Sequence, residues 1–537
     1  MHAVELRTLD GPNLFLPRPA IKLEIAADAD ETVTLTDPVA DRLSLEIRVA
    51  TGPTAISRMV GGILAAICNE AGMKLDDIVY REMEEPGHVV VAYSWERRNA
   101  ARAVGQLAWT LASGEDVDLD AALTEIRELL AAPADADDLR EMVTDEQRHV
   151  PTIGITGTNG KTTTTRLIAS IIRGAGHSVA WTSSAGVLVN GKMVLEGDYT
   201  GPAGAHRVFE EPGIDYAVLE TARGGILLRG LGYQHSDVSV VTNISADHMG
   251  LHGVYSLEEL TAVKTVVARA TKSDGYAVLN ADDARVLGMR EVILARPFLF
   301  SRRPDEAAVR DHIAAGGQAV VVRGDRIVWH RDGEETVVAK LADVPVTFGG
   351  RAGHMVENAL AAAGACLAVG LPVEQVRQGL AAFRSRADQN RGRLNVYRVD
   401  DAVVVIDFAH NEAGLAHLLA FARSFCGEGG RLVSVVGTAG DRDAAALTGI
   451  ARIAFEQSDA AILKDSRKYL RGRQPGEMPG IMRPLLGEKL VAETGGEWEG
   501  FEAGLRQLGP GDTLAVMCIE DSDRILAWLE ERGEALS

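Results

Sequence analysis

The run Gly154-Ile155-Thr156-Gly157-Thr158-Asn159-Gly160-Lys161-Thr162-Thr163 follows an apolar, strand-like stretch from Val150 to Ile155 and opens an amphipathic helical pattern. That setting makes it a phosphate-binding loop. Glycines let backbone N–H groups close around an anion, and the helix N-terminus adds its dipole. Lys161 supplies a point charge, and the Thr162 hydroxyl is placed to reach Mg²⁺. ATP or GTP is the expected ligand, with Gly157, Thr158, Asn159, Gly160, Lys161, Thr162 and Thr163 around its phosphates. The common form of the loop has glycine five residues before Gly160, where this chain has Ile155, so the match is to a shortened variant.

The 537 residues predict about three domains, each large enough to bury its own core. Residues 133–148 are polar and acidic and mark a first boundary; a second lies near Arg384 to Arg391. The expected architecture is α/β throughout. A smaller α+β domain covers 1–148, a central P-loop α/β domain 149–388, and a C-terminal Rossmann-like α/β domain 389–537. Strands are expected at Tyr216–Leu219, Val238–Ile244, Tyr276–Leu279, Val403–Asp407, Leu432–Gly437, Ala460–Lys464 and Thr513–Ile519.

No apolar run approaches the roughly 20 residues of a membrane span, and Met1 to Asp10 lacks a signal pattern, so a cytoplasmic protein without membrane association is expected. Cys68, Cys366, Cys426 and Cys518 show no metal-ligand spacing and read as reduced cysteines, mostly in the core. The net charge of −21 argues against nucleic acid as a partner. Residues 1–150 hold 28 acidic and 14 basic side chains, so they carry −14 of that charge. This is either a solvated face or a surface receiving a cationic or zwitterionic partner.

Polar residues cluster just beyond expected strand ends, where such folds place ligands: Glu220, Asp247 with His248, Asn280 with Asp282 and Asp283, and Asp407 with His410. Each alone could be a loop residue satisfying local backbone groups. Glu220 and His248 are suitable Mg²⁺ ligands. Arg223, next to Gly224, could grip a carboxylate bidentately or form an ordinary ion pair.

Nine stretches resemble the Mur ligase superfamily of ATP-dependent amide ligases, in that family's order. They are GTNGKTTTT (Gly157–Thr165), GDYTGP (Gly197–Pro202), LETARGGIL (Leu219–Leu227), VTNISADHMGLHG (Val241–Gly253), LNADD (Leu279–Asp283), NALAA (Asn358–Ala362), GRLN (Gly392–Asn395), DFAHN (Asp407–Asn411) and Gly437–Arg442. LETARGGI and RGR-x-x-GE (Arg471–Glu477) point to the cyanophycin synthetase branch. LRTLDGPNLFL (Leu6–Leu16) and GHVVVAYSWE (Gly87–Glu96) resemble that branch's N-terminal domain. The branch carries an ATP-grasp domain between these parts, where this chain has only residues 133–148.

The resemblance implies an acyl-phosphate mechanism, ADP-forming, that joins an amino acid to an acidic amino acid or peptide. It implies Mg²⁺ on Thr162, Glu220 and His248, with Lys264 as a carbamylated metal bridge or an exposed helix lysine. It further implies adenine contacts from Asn280 and Asn358, phosphate contact from Arg393, and ribose or closure roles for Asp407. His410 joins the catalytic set. Thr200, Arg223, Gly224, Asn411, Arg471 and Arg473 are the expected substrate contacts. Two departures bear on substrate identity: Ala185 within TSSAG and Glu412 after the AHN run. Arginine addition to an aspartate side chain and a non-catalytic partner of a separately encoded ATP-grasp enzyme stay open, as does a homo-oligomer.

Overall fold

A computed structural model describes residues 1–135, 137–139 and 141–536. Positions 136 and 140 of the acidic stretch, and position 537, lie outside the described residues. The chain forms three main sheets.

The first is a four-stranded antiparallel sheet in the order His2–Leu9, Ala20–Ala26, His88–Ser94, Ile78–Glu82. Alternation sets its two faces. Ile21, Leu23 and Ile25, with Val89, Val91 and Tyr93, pack under the helices Pro53–Ala71 and Arg98–Ala112 as a separate core. Glu5, Lys22, Glu24 and His88 form an ionic ladder on the other face, with Lys22 3.1 Å from Glu5 and 2.6 Å from Glu24.

The second sheet has eleven strands. Seven central ones are parallel, running from Val179–Ser183 through Tyr216–Glu220, Thr152–Thr156, Ser236–Val241, Thr271–Asn280 and Arg296–Ser301 to Gln318–Arg323. Antiparallel ribbons extend both edges. Thr152–Thr156 is buried along its whole length, as a central parallel strand covered by helices on both faces must be. The helices Lys161–Gly174 and Gly353–Ala368 cover one face, while Leu257–Arg269 covers the other.

The third sheet orders Leu490–Thr494, Ala460–Lys464, Leu432–Val436, Thr513–Met517, Ala402–Asp407, Asn395–Val399 and Glu534–Ala535, the first five being parallel. Its buried Glu497 ties the 518–521 turn by accepting from the N–H groups of Ile519 (2.8 Å), Glu520 (3.0 Å) and Asp521 (2.8 Å), with Lys464 as ion-pair partner. One hydrophobic cluster runs unbroken from Ile153 and Phe298 to Val405, Leu418 and Met517, so the second and third sheets share a core. Phe348 seals this seam against Phe421 at 4.8 Å between ring centroids.

The first sheet joins the second differently. The Asp10-Gly11-Pro12 turn lies along Arg229-Gly230-Leu231 through Asp10 N–H to Arg229 O (2.7 Å) and Leu231 N–H to Pro12 O (2.8 Å). Only glycine fits at Gly11, where a Cβ would fall 1.9 Å from Leu231 O. The buried Asp10 carboxylate lies between Arg98 and Arg229.

The expected strand over Val238–Ile244 ends at Val241. Residues beyond it turn away to bind the phosphate loop: Asn243 O accepts from Thr158 N–H (2.8 Å) and its Oδ1 from Asn159 N–H (2.9 Å). Similarly, Thr513–Ile519 stops at Met517, where Glu497 captures the next amides. Three cysteines are buried and Cys426 is half-buried, all free; burial pushes the Cys68 thiol up to about 12. No helix among the described residues is long and apolar enough to cross a membrane.

Candidate active site

The phosphate loop bridges the strand Thr152–Thr156 and the helix Lys161–Gly174, at the C-terminal edge of the parallel sheet. Gly157 has φ +146°, and a Cβ there would lie 1.8 Å from Thr242 Oγ1, so the loop closes only with glycine. Lys161 Nζ donates back to Gly157 O (2.9 Å) and Thr158 O (2.8 Å). Burial lowers its pKa, against the pull of Glu220 and Asp247.

Thr162 Oγ1 donates to Glu220 Oε1 at 3.0 Å. Glu220 is 3% exposed, and its Oε2 is buried without a hydrogen-bond partner. Burial raises its pKa, while Lys161, Thr162, Arg393 and Arg166 oppose the rise. A hydroxyl beside a carboxylate with an orphaned oxygen is a donor set that fits a hard divalent cation.

Lys264 is buried, so the exposed-helix alternative does not apply. Ser256 caps its helix by accepting from Glu259 N–H (3.1 Å), and Glu259 accepts in return from Tyr255 N–H (2.8 Å). Lys264 Nζ donates to Gly157 O at 2.7 Å, the same carbonyl that Lys161 uses. Burial, with Lys161 and Arg223 nearby, depresses its pKa strongly.

His248 stands apart from the Thr162–Glu220 pair in its hydrogen bonding. It has φ +52°, and its Nδ1 lies 2.7 Å from Arg442 Nη1 and 3.1 Å from Asp441 Oδ2, both of the C-terminal lobe. Neighbouring Asp247 pairs with Arg442 (3.1 Å) and His410 (3.4 Å). Burial would raise its pKa, but His410, His248 and Arg442 hold it far below the carboxylate range. His248 hydrogen bonding and the Arg442 charge hold Asp441 at about 2. Asp247, His248 and His410 also place one ligand atom each within 4.8 Å of one another.

A second bridge between the lobes is reciprocal: Asn159 Nδ2 donates to Asn411 Oδ1 (3.3 Å), and Asn411 Nδ2 donates to Asn159 Oδ1 (3.1 Å). Asn411 also caps its helix, accepting from Gly414 N–H at 2.8 Å.

The cleft between the lobes is lined by the phosphate loop, Asn243, Asn358, Arg393, Asp407 and His410. Arg393 stacks over Phe408 at 4.2 Å, and burial lowers its pKa. Asp407 accepts from Leu394 N–H at 2.8 Å, and burial raises its pKa against Arg393. Asn358 Oδ1 accepts from Thr164 Oγ1 at 3.4 Å beneath the loop. Asn280 is absent from the lining; its Nδ2 donates to Thr242 O (2.7 Å) and its Oδ1 accepts from Asp282 N–H (2.9 Å), so the amide braces the adjoining strand end.

Arg223 begins the helix after Glu220 and donates to His248 O at 2.6 Å. Thr200 donates to Asp198 at 2.6 Å and accepts from Ala222 N–H at 3.0 Å, which fixes the approach to Arg223 and Gly224. Arg473 is committed to Gly440 O (2.9 Å) and Arg442 O (2.8 Å), so it supports the turn bearing Arg442. Arg471 is exposed over Tyr469, away from that bracing.

The residues missed in the sequence are His354 and His417. Their rings stack at 5.1 Å and 7° across the lobe seam and line the cleft. Burial, with His417 and Arg302 close by, lowers His354 to about 3. Two histidines on separate helices carry no local pattern that could have joined them. Asp441 and Arg442 lay within a recognised stretch, but their partners did not follow from it.

A phosphate loop on a parallel sheet, facing a second α/β lobe across a shared cleft, defines a P-loop α/β protein of the two-lobed kind. Residues 155–366 match the Mur ligase middle domain and residues 392–518 the Mur ligase glutamate ligase domain, together more than half the chain. The chain belongs to the Mur ligase family of ATP-dependent ligases. It is 36% identical over 406 residues to cyanophycin synthetase of Trichormus variabilis, a match covering 72% of this chain and 43% of that one. Against the Synechocystis enzyme of the same name it is 39% identical over 328 residues, covering 61% and 37%. The chain thus spans less than half the length of these relatives. E. coli FolC in complex with DHPP and ADP shares the fold at 20% identity and TM-score 0.54, covering 72% of this chain and 90% of that one.

Proposed function

We propose that the chain is an ATP- and Mg²⁺-dependent, ADP-forming carboxylate–amine ligase that joins an amino acid to an acidic amino acid or peptide acceptor. The observation that carries this reading is the assembly of Lys161 and Thr162 opposite Arg393 and His410 in one cleft, with the buried Glu220 carboxylate hydrogen-bonded behind Thr162. An acceptor carboxylate oxygen would attack the γ-phosphorus of ATP, releasing ADP and leaving an acyl phosphate. The amine would then attack the acyl carbon, release phosphate and lose a proton. Both steps build charge on oxygen, so Lys161 and Arg393 would act by electrostatic stabilisation and positioning.

Thr162 and Glu220 would hold Mg²⁺, with His248 joining once released from Asp441 and Arg442. The metal would neutralise charge on the phosphates. A depressed pKa favours neutral Lys264, the form that adds CO₂, which supports a carbamate bridge there. Asn358, with His354 and His417, would face the adenine, and Asp407 the ribose. Arg223, beside Gly224 and Thr200, would grip the acidic acceptor. Asn411, Arg471 and Arg473 would form the side from which the amine enters. Closure of the C-terminal lobe would exclude water from the acyl phosphate. The cytoplasm, where ATP is abundant and cysteines stay reduced, suits this chemistry.

Arginine addition to an aspartate side chain is the narrower version, favoured by the cyanophycin synthetase likeness and the acidic N-terminal part. Residues 133–148 are all that separates the two resembling parts, so aspartate addition would then fall to a separately encoded ATP-grasp enzyme, beside which the chain would work as ligase or as non-catalytic partner. The test is phosphate release with Mg²⁺-ATP across twenty amino acids paired with acidic dipeptides, including β-linked aspartyl-arginine, with products read by mass spectrometry. A product at the summed substrate mass minus water is expected. Tight ATP binding without turnover on any pair would favour the non-catalytic reading.

A further inference from the structure

A cavity of about 610 Å³ opens between the helix Lys161–Gly174, the ribbon 179–196 and residues 382–391, and shares no lining residue with the nucleotide cleft. In a chain of net charge −21 its lining is unusual: Arg166, Arg173 and Arg391 against a single carboxylate, Asp388. Arg166, Ser170 and Arg173 fall at i, i+4 and i+7, so one helix face presents all three.

Arg391 is paired with Asp523 (2.6 Å), whereas the donors of Arg166 and Arg173 are largely unspent. The Arg173 guanidinium has no hydrogen bond or ion pair among the described residues and lies over Gly191, where a Cβ would come within 2.6 Å of Nη1. Arg166 uses only Nη1, toward Asn390 Oδ1 (3.4 Å) and Arg391 O (3.1 Å). Burial, with Arg393 nearby, brings Arg166 down to about 10. Trp181 is 5% exposed, lines the cavity and keeps its indole N–H buried without an acceptor beside it, an unsatisfied donor of the kind interiors rarely hold. Leu188, Met193 and Phe383 supply an apolar wall.

We propose that this cavity is a second anion site, separate from the nucleotide cleft, for an organic anion with two or more carboxylate or phosphate groups on an apolar body. Arg166 and Arg173 are seven residues apart on one helix, about 10 Å, which sets the spacing of the two charged ends. The volume is that of a small-molecule pocket. Because Arg166 also holds residues 390–391 and feels Glu220 and Arg393, the occupant would bear on how the two lobes close.

The test uses the full chain with saturating Mg²⁺-ADP, so that the phosphate loop is filled. Citrate and fructose 1,6-bisphosphate are titrated separately, with fructose as the neutral control, and tryptophan fluorescence is read. A saturable change is expected with at least one anion, absent in Trp181→Phe and weakened about tenfold or more in Arg173→Glu. The effect should shrink as salt rises. Saturation by citrate alone assigns a polycarboxylate, and by the bisphosphate alone a phosphate ester. Arg173 is exposed and unpaired, so Arg173→Glu should keep the parent melting temperature; Ser170→Glu, which puts a carboxylate on the same face, is the second variant and should weaken binding likewise. No saturation by either anion up to roughly 10 mM, or binding indifferent to both variants, would overturn the proposal.

Discussion

The second and third sheets are fused by one hydrophobic core, whereas the first sheet keeps its own core and meets the second through a turn, a few hydrogen bonds and the Asp10–Arg98–Arg229 cluster. The fused pair surrounds the phosphate loop, and all the lining of its cleft comes from those two sheets and their helices. Under the proposed function, the difference separates the part that would carry the chemistry from a part that lies outside the cleft. ATP chemistry needs two surfaces held in register to within an ångström or so, which a shared core can provide. The first sheet's junction is mainly hydrogen-bonded and ionic, with Leu14 packing against the second sheet's core, and it contributes no residue to the cleft.

The comparison breaks first at Lys161. Under the proposed role of its ammonium in stabilising developing charge, Lys161→Ala should lower ligation by roughly 10²–10³-fold while the melting temperature stays near that of the parent. Unchanged turnover would remove the fused pair from the chemistry. Next in size is the seam: Arg442→Ala leaves half-buried Asp247 short of a cation and frees His248, so the lobes should open. A rise of about tenfold in the KM for ATP and a larger radius of gyration by small-angle scattering are expected. An unaltered radius would mean that the aromatic seam alone sets closure.

The pH response of the same seam is a third test. His354 sits at about 3, below its unfolded value, so between pH 6.5 and 3 the unfolded chain takes up protons that the folded chain refuses. Its stabilising contribution is full above pH 6.5 and is lost progressively as pH falls toward 3. His354→Asn should flatten that part of the denaturation-midpoint profile against pH; an unchanged slope would show that His354 is not the group. The smallest effect is expected at the other junction. Asp10→Ala should speed proteolysis within residues 133–148 yet leave ADP affinity within about twofold, since distant sites without shared partners act nearly independently. A large loss of ADP binding there would join the two regions that the cores separate.

Much of the fused pair was legible because its signals are local. The phosphate loop declares itself through a buried strand, glycines and a helix start, and Glu220 lies at the end of a strand of the same sheet. The α/β class followed from alternating strands and helices. What could not be read are meetings between distant segments. His354 stacks on His417, Arg442 reaches His248, and Arg473 is spent on the turn beneath Arg442. Asn280 shows the converse: a polar residue at a strand end, marked for a ligand, has both sides of its amide engaged by the backbone. Strand ends were overrun at Val241 and Met517 because the apolar pattern continues after the backbone has turned to bind the phosphate loop or Glu497.

The most direct test of the acyl-phosphate chemistry assigned to the cleft is isotope transfer. With a substrate pair that yields product, the acceptor carboxylate is labelled with ¹⁸O and the released phosphate is examined by mass spectrometry. One labelled oxygen in each phosphate, with ADP as the nucleotide product, is the expected result. Unlabelled phosphate, or AMP in place of ADP, would contradict the account.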